Sequence, residues 1–183
     1  MDRIETNLPI SSGILLEIRD YWTDLKQNRL IALKEDLDPA AIAQHLPYVG
    51  LVDVFHNPLR FKYRLLGTRI TELAGRDATG KWLDAELYGD NTENMLWLFK
   101  KCATSRKPVA VREQIQFVDK SWVVIDVAAF PMGNIDGEIT VILSAVDLSH
   151  MEAELPAPGT SYILNWQASE VSPHNSTNTQ TAF

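Results

Sequence analysis

The residues of this 183-residue chain whose types and spacing suit chemistry are few. Arg60, Lys62 and Arg64 alternate along one segment. In an extended strand such alternation places all three on one face. Together they form a small cationic patch of the kind that meets the phosphates of a nucleotide messenger or another anion. A run this short recurs by chance and reads more readily as a solvated strand face. Asp53 lies upstream, where a hairpin would bring it opposite Arg64. That pair either holds strand register or offers a polar contact to a ligand, and an exposed pair adds only about 0–1 kcal/mol.

Catalytic constellations are not found. The chain contains no G-x-S-x-G, H-E-x-x-H, phosphate-binding P-loop or G-x-G-x-x-G string. Asp84 and Glu86 are close in sequence, but nothing places them at a shared site. No catalytic residue is assigned, and the expectation is a non-enzyme. The single cysteine, Cys102, cannot form an internal disulfide and leaves a zinc site without thiolate partners. It falls at an apolar helical position, which reads as a small buried hydrophobe. His45, His56, His150 and His174 are dispersed over a helix end, a turn, a strand end and the tail. No metal site is expected from them.

The net charge of -7 and pI near 5.0 disfavour direct binding to DNA or RNA, which selects a basic surplus. The hydrophobic share of 45% and charged share of 22% are those of an ordinary globular chain with one good core. Met1-Asp2-Arg3-Ile4-Glu5 does not open a signal peptide, and no run reaches the roughly 18 apolar residues of a membrane span. A reducing, cytoplasmic location is the resulting expectation.

The elements that would position these residues follow from periodicity. Ile14, Leu15, Ile18, Trp22 and Leu25 recur at helical spacing over residues 11–28, with Ser11 or Ser12 as the cap. Asp38-Pro39 starts a second short helix with Ile42 and Leu46 facing inward, and Pro47 ends it. Residues 49–55 and 60–66 read as an antiparallel hairpin across His56-Asn57-Pro58-Leu59. Thr68 caps a short helix that Gly75 ends in the left-handed conformation. Residues 77–89 read as a loop with short turns. Asp90-x-x-Glu93 is a candidate capping box for a helix to about Ser105, with Met95, Leu98, Phe99 and Cys102 on one face. Three strands complete the count. The first alternates Val109, Val111, Ile115 and Phe117 with Arg112, Gln114 and Gln116. The second spans Trp122 to Met132. The third, Ile139 to Leu148, is apolar enough to be a central strand covered on both faces. After about His150 the chain turns proline-rich and polar, and residues 151–183 read as a mostly disordered tail in which Tyr162, Ile163, Leu164 and Trp166 dock transiently.

This order, two N-terminal helices and then β-β-short helices-helix-β-β-β, resembles the PAS domain. The strings LPYVGLVDVF at 46–55 and RFKYRLLG at 60–67, then Thr68-Arg69-Ile70, Gly75-Arg76-Asp77 and Ala78-Thr79-Gly80, are similar to a PAS subfamily common in alphaproteobacteria. There a Trp-bearing amphipathic helix precedes an "LP…D…RFRYRL-GT" core. The resemblance covers about residues 12–150. It implies an α+β fold: a five-stranded antiparallel sheet with short helices on one face and N-terminal helices packed outside. The division it suggests is an N-terminal helical extension over 1–47, a core over 48–150 and the tail over 151–183.

The resemblance further implies sensing and signalling, with a small cavity between sheet and helices. Tyr63, Leu65, Trp82, Phe99, Trp122 and Phe130 are the candidates for its lining or rim, although aromatics on such elements are more often plain core. Flavin-adduct relatives carry a cysteine in the segment that here spans 77–86, which has none, and haem-binding relatives use a histidine from the long helix, which has none over 91–105. No cofactor is expected. Without an output domain, a signal would leave through a protein partner or through a homodimer formed on the Ile14, Ile18, Trp22 and Leu25 stripe. The leading expectation is a stand-alone module binding a small molecule. The alternatives are a ligand-free interaction module and an anion or cyclic-nucleotide receptor on Arg60, Lys62 and Arg64.

Overall fold

The computed structural model describes residues 2–115, 123–148 and 160–166. Helix α1 spans Gly13–Lys26, and Ser12 is its cap, its hydroxyl accepting from the Leu15 amide at 3.1 Å. Leu15, Ile18 and Trp22 recur on one side of α1 and are buried. Full burial of such side chains contributes about 1.5–3 kcal/mol each. The 3-10 segment Pro39–Tyr48 starts where Asp38 caps the Ala40 amide, and it buries Ile42.

The sheet is built from β1 (Asp2–Pro9), β2 (Ala32–Leu33), β3 (Val49–Phe55), β4 (Arg60–Leu66), β5 (Val109–Ile115), β6 (Val123–Gly133), β7 (Ile139–Asp147) and β8 (Thr160–Asn165). Its order is β1-β8-β5-β6-β7-β3-β4, with β2 paired to the end of β6. The five strands β4, β3, β7, β6 and β5 are contiguous and antiparallel, as the sequence order suggests. Three strands are added to that five-stranded expectation. β8 runs antiparallel to β5, β1 runs parallel to β8, and β2 runs parallel to β6.

Between β4 and β5 lie α2 (Thr68–Ala74), α3 (Ala85–Tyr88) and α4 (Thr92–Ser105). Gly75 ends α2 at φ 67, the left-handed geometry that glycine adopts without strain. Gly67 is required for a different reason. Its φ is ordinary, but a Cβ there would collide with the Leu46 and Pro47 carbonyls. The chain can turn from β4 into α2 at this point only because no side chain is present. The proposed capping box at Asp90 does not form. Asp90 falls in a 3-10 turn, and α4 begins at Thr92, whose hydroxyl donates to the Gly89 carbonyl.

The sheet is covered on both faces. Val52, Phe61, Tyr63, Val111, Ala129 and Ile142 look toward α4 and its buried Leu98, Phe99 and Cys102. Val49, Ala128, Phe130, Met132, Leu143 and Ala145 look toward α1. β7 lies in the middle and is buried along almost its whole length, as its apolar run predicts.

Two expectations for the chain ends change. Residues 1–47 are not purely helical, because Asp2–Pro9 is a strand. Residues 151–183 were expected to be mostly disordered, yet Thr160–Asn165 forms β8, with Leu164 buried against the α1 side of the sheet. The remainder of that tail, His150, His174 and Trp122 lie outside the described residues.

Candidate functional site

The β3–β4 hairpin positions the cationic residues. Its register pairs Phe55 with Arg60, Asp53 with Lys62 and Leu51 with Leu65, after a shift between Leu51 and Val52. Phe61 and Tyr63 point into the core, so Arg60, Lys62 and Arg64 turn outward together, as alternation requires. They do not act as one group. Arg64 pairs with Asp53 at 2.5 Å, a diagonal ion pair across the hairpin. Arg60 and Lys62 instead share an aromatic ring: the Arg60 guanidinium lies 3.9 Å from the centre of the Trp82 indole and the Lys62 ammonium 5.7 Å from it.

Trp82 reaches that position through the backbone. The segment Gly80–Leu83 lines the free edge of β4: Tyr63 donates to the Lys81 carbonyl, Gly80 donates to Tyr63 and Leu83 donates to Phe61. This satisfies an edge strand that would otherwise be open. Trp82 also meets Phe55, with ring centres 4.9 Å apart and the rings tilted by 55°, and Phe55 is 43% exposed. Trp82 was expected at a cavity rim. It instead joins Phe55 and Arg60 in an outward-facing group, with Lys62 beside it. Among the described residues no carboxylate pairs with Arg60 or Lys62.

The same face of the hairpin continues into an apolar groove at its other end. Leu37, Ile42, Leu46, Leu51, Leu65 and Leu143 line a volume of about 160 Å³ with no polar lining. Leu65, a candidate for the cavity lining or rim, is 44% exposed here. Leu51 and Phe55 are four residues apart, so groove and stack are separated by about 13 Å along the strand. A second, larger groove of about 310 Å³ lies between the His56–Leu59 turn and the end of α4, lined by Ala103 and Thr104.

The remaining cavity candidates do not converge. Tyr63 and Phe99 meet edge to face at 6.5 Å, and Phe61 packs on Phe99 at 5.9 Å. These rings and Cys102 fill the space between sheet and α4. Phe130 belongs to the opposite face of the sheet, packed on Trp22 and Trp166. The strand period puts it there, two residues from Ala128 and Met132. The polar element of the helix-side core is a pair of phenols, Tyr63 and Tyr88, with hydroxyls 2.6 Å apart. Burial raises the Tyr63 pKa well above its ordinary value, and the neighbouring Tyr88 adds to the effect. Burial raises Tyr88 as well. Burial also pushes the Cys102 thiol far above the usual range, so it stays neutral.

The proposed interface stripe on α1 is largely consumed internally. Ile18 is fully buried, and Trp22 packs on Phe130 and donates its indole N–H to the Pro131 carbonyl at 2.9 Å. Ile14 and Leu25 are half-buried against the same cluster. The helix therefore spends its apolar face on its own sheet.

One charged group was missed by the sequence reading. Arg112 on β5 grips Asp126 on β6 through two bonds, at 2.7 and 2.8 Å, and Asp147 on β7 stands opposite Asp126 in the strand register. All three are buried. The hydrogen bond to Asp126 raises the Arg112 pKa, against the opposing effect of burial. The signal was present: an aspartate in each of two otherwise apolar strands, VVIDVAAFPM and ITVILSAVD. Among the described residues no cluster of His, Cys, Asp and Glu is placed to hold a metal, and no helix is long and apolar enough to cross a membrane.

These features define an α+β module with aromatic and cationic side chains in contact on the outer face of its β3–β4 hairpin. Residues 11–146 match the family model described as PAS domain, and the chain belongs to that family. No curated protein matches the chain. Members of the family are sensory and regulatory modules rather than catalysts as a rule, and they often mediate protein interactions or dimers.

Proposed function

We propose that this chain is a regulatory PAS module that works by docking an amphipathic, acidic protein segment on the outer face of its β3–β4 hairpin. The observation that carries the reading is the Phe55–Trp82–Arg60 group with Lys62 beside it, in which Phe55 and Arg60 are exposed, Trp82 and Lys62 half-buried, and neither cation has a carboxylate partner among the described residues. Cations held over indole are already oriented, so little side-chain freedom is lost when an anion arrives. The apolar groove at Leu51 and Leu65 supplies the second half of the match. An acidic partner side chain sits over Arg60 and Lys62, and an apolar one enters the groove. Arg64 is a register-holding residue in this scheme, since Asp53 neutralises it. That division separates the reading from an anion receptor using all three cations.

The test uses two acetylated peptides of equal length, one alternating glutamate with leucine and one alternating lysine with leucine. The glutamate peptide binds, and its affinity falls as salt rises from 50 to 300 mM. The double change Arg60→Glu, Lys62→Glu abolishes that binding while circular dichroism stays unchanged. Equal binding of the two peptides, or undiminished binding by the double variant, defeats the docking reading.

Small-molecule sensing is a second reading, supported by the buried Tyr63–Tyr88 hydroxyl pair, which offers a polar contact within an apolar interior. A ligand there must displace Phe99 or part of α3. Native mass spectrometry of freshly purified protein tests it: excess mass that vanishes on denaturation supports the sensor, and a bare chain mass counts against it.

A further inference from the structure

Arg60 and Lys62 differ from neighbouring cations in what they meet. Arg19, Arg29, Arg64 and Arg112 each meet a carboxylate. Arg60 and Lys62 meet an indole instead. Asp53 stands opposite Lys62 in the register, yet its carboxylate is taken by Arg64. An aromatic face attracts a cation through its quadrupole and uses up no hydrogen-bond acceptor. Arg60 therefore keeps its N–H fork and Lys62 its ammonium donors, with no oxygen bound to either side chain among the described residues.

Alternation along β4 sets the two residues on one face with Cα atoms about 7 Å apart. Both side chains are long and end at the same ring, so one anion over that ring is within reach of both. A carboxylate brings a single charge and two oxygens to this place. A phosphate monoester brings about −1.5 to −2 charges at neutral pH and three free oxygens. It balances two cations, and its oxygens engage a guanidinium fork and an ammonium together.

We propose that the acidic group this face selects is a phosphate monoester, carried by a phosphoserine of the docking segment, so that phosphorylation of the partner controls docking. This rests on the docking reading above and names the chemistry of its acidic half. A protein-borne phosphate fits better than a free nucleotide. The Trp82 ring on which a base would stack already meets Phe55 and Arg60, and the apolar groove at Leu51 and Leu65 lies on the same face, ready for a neighbouring aliphatic side chain.

The test compares the glutamate–leucine peptide with the same peptide carrying phosphoserine in place of its central glutamate, by calorimetry. The phosphoserine peptide is expected to bind about tenfold more tightly at neutral pH, the gain of an added charge-assisted hydrogen bond. Its second ionisation lies near pH 6, so that advantage shrinks as pH falls from about 7.5 to about 5, while the glutamate stays mostly ionised. Lys62→Met, checked for folding by circular dichroism, brings the two affinities together. A glutamate peptide that binds as tightly as the phosphoserine peptide at neutral pH overturns this inference and leaves the docking reading standing. Displacement of the phosphoserine peptide by an equal concentration of inorganic phosphate overturns it too, because the site is then a simple anion site. Failure of both peptides to bind defeats the docking reading, and this inference falls with it.

Discussion

Cys102, Tyr63 and Tyr88 all sit in the helix-side core with pKa values raised chiefly by burial. In the folded chain they keep their protons to higher pH than in the unfolded chain, so unfolding above the unfolded pKa values releases protons. Their contribution is whole below the ordinary cysteine value of 9.0 and the ordinary tyrosine value of 10.0, and it is lost as pH climbs beyond them. Urea midpoints should hold from neutrality to about pH 9 and then fall, and Cys102→Ala should flatten the first part of that decline. The buried Arg112–Asp126 pair gives a sharper effect. Asp126→Ala leaves a guanidinium with its main partner gone, a change that costs about 3–5 kcal/mol when a buried pair is broken. Chemical denaturation measures that loss. A cost below 1 kcal/mol would mean that Asp147 takes over the pairing.

Among the elements, α1 decides how the outer face of the sheet is sealed. Trp22 contributes ring packing on Phe130 and a hydrogen bond to Pro131. Trp22→Ala is expected to cost about 3–5 kcal/mol, as for other buried aromatic truncations. It should lower stability without dissociating an assembly, because the side chain faces the chain's own sheet. Light scattering beside urea denaturation separates the two effects. The β3–β4 hairpin has the opposite character. Its core-facing Phe61 and Tyr63 hold it in place, which leaves Phe55, Arg60, Lys62 and Leu65 available on the surface.

At the scale of the molecule, one sheet divides two hydrophobic clusters, and β7 contributes to both. Opening either side locally leaves β7 covered by the other. Amides of Val141–Ala145 should therefore exchange with solvent only through global unfolding, while β8, joined to the five-stranded core through three register pairs with β5 and otherwise paired to the edge strand β1, opens earlier. Hydrogen exchange with mass readout checks the order. Protection of β8 equal to that of β7 would show that the chain ends are integral to the cooperative unit.

The sequence by itself determined most of the elements and their order. Helical and strand periodicity, Ser12, Asp38 and Gly75 act over a few residues, so α1, the hairpin, α4 and the central position of β7 were all legible. It also determined that Arg60, Lys62 and Arg64 share a face, because alternation is a local property. Tertiary structure decided what covers each face. Period two gives a strand two sides without saying which is the interior, and here both are covered. Arg112 therefore reads as solvated and is buried, and Phe130 belongs to the α1 side rather than to a cavity with Tyr63. Trp82 lies far along the chain from Phe55, and only the run of Gly80–Leu83 beside β4 stacks the two rings. β8 was hidden for the same reason: Thr160, Tyr162 and Ile163 favour a strand, but so short a segment among prolines and polar residues becomes one only when the β5 edge supplies its hydrogen bonds.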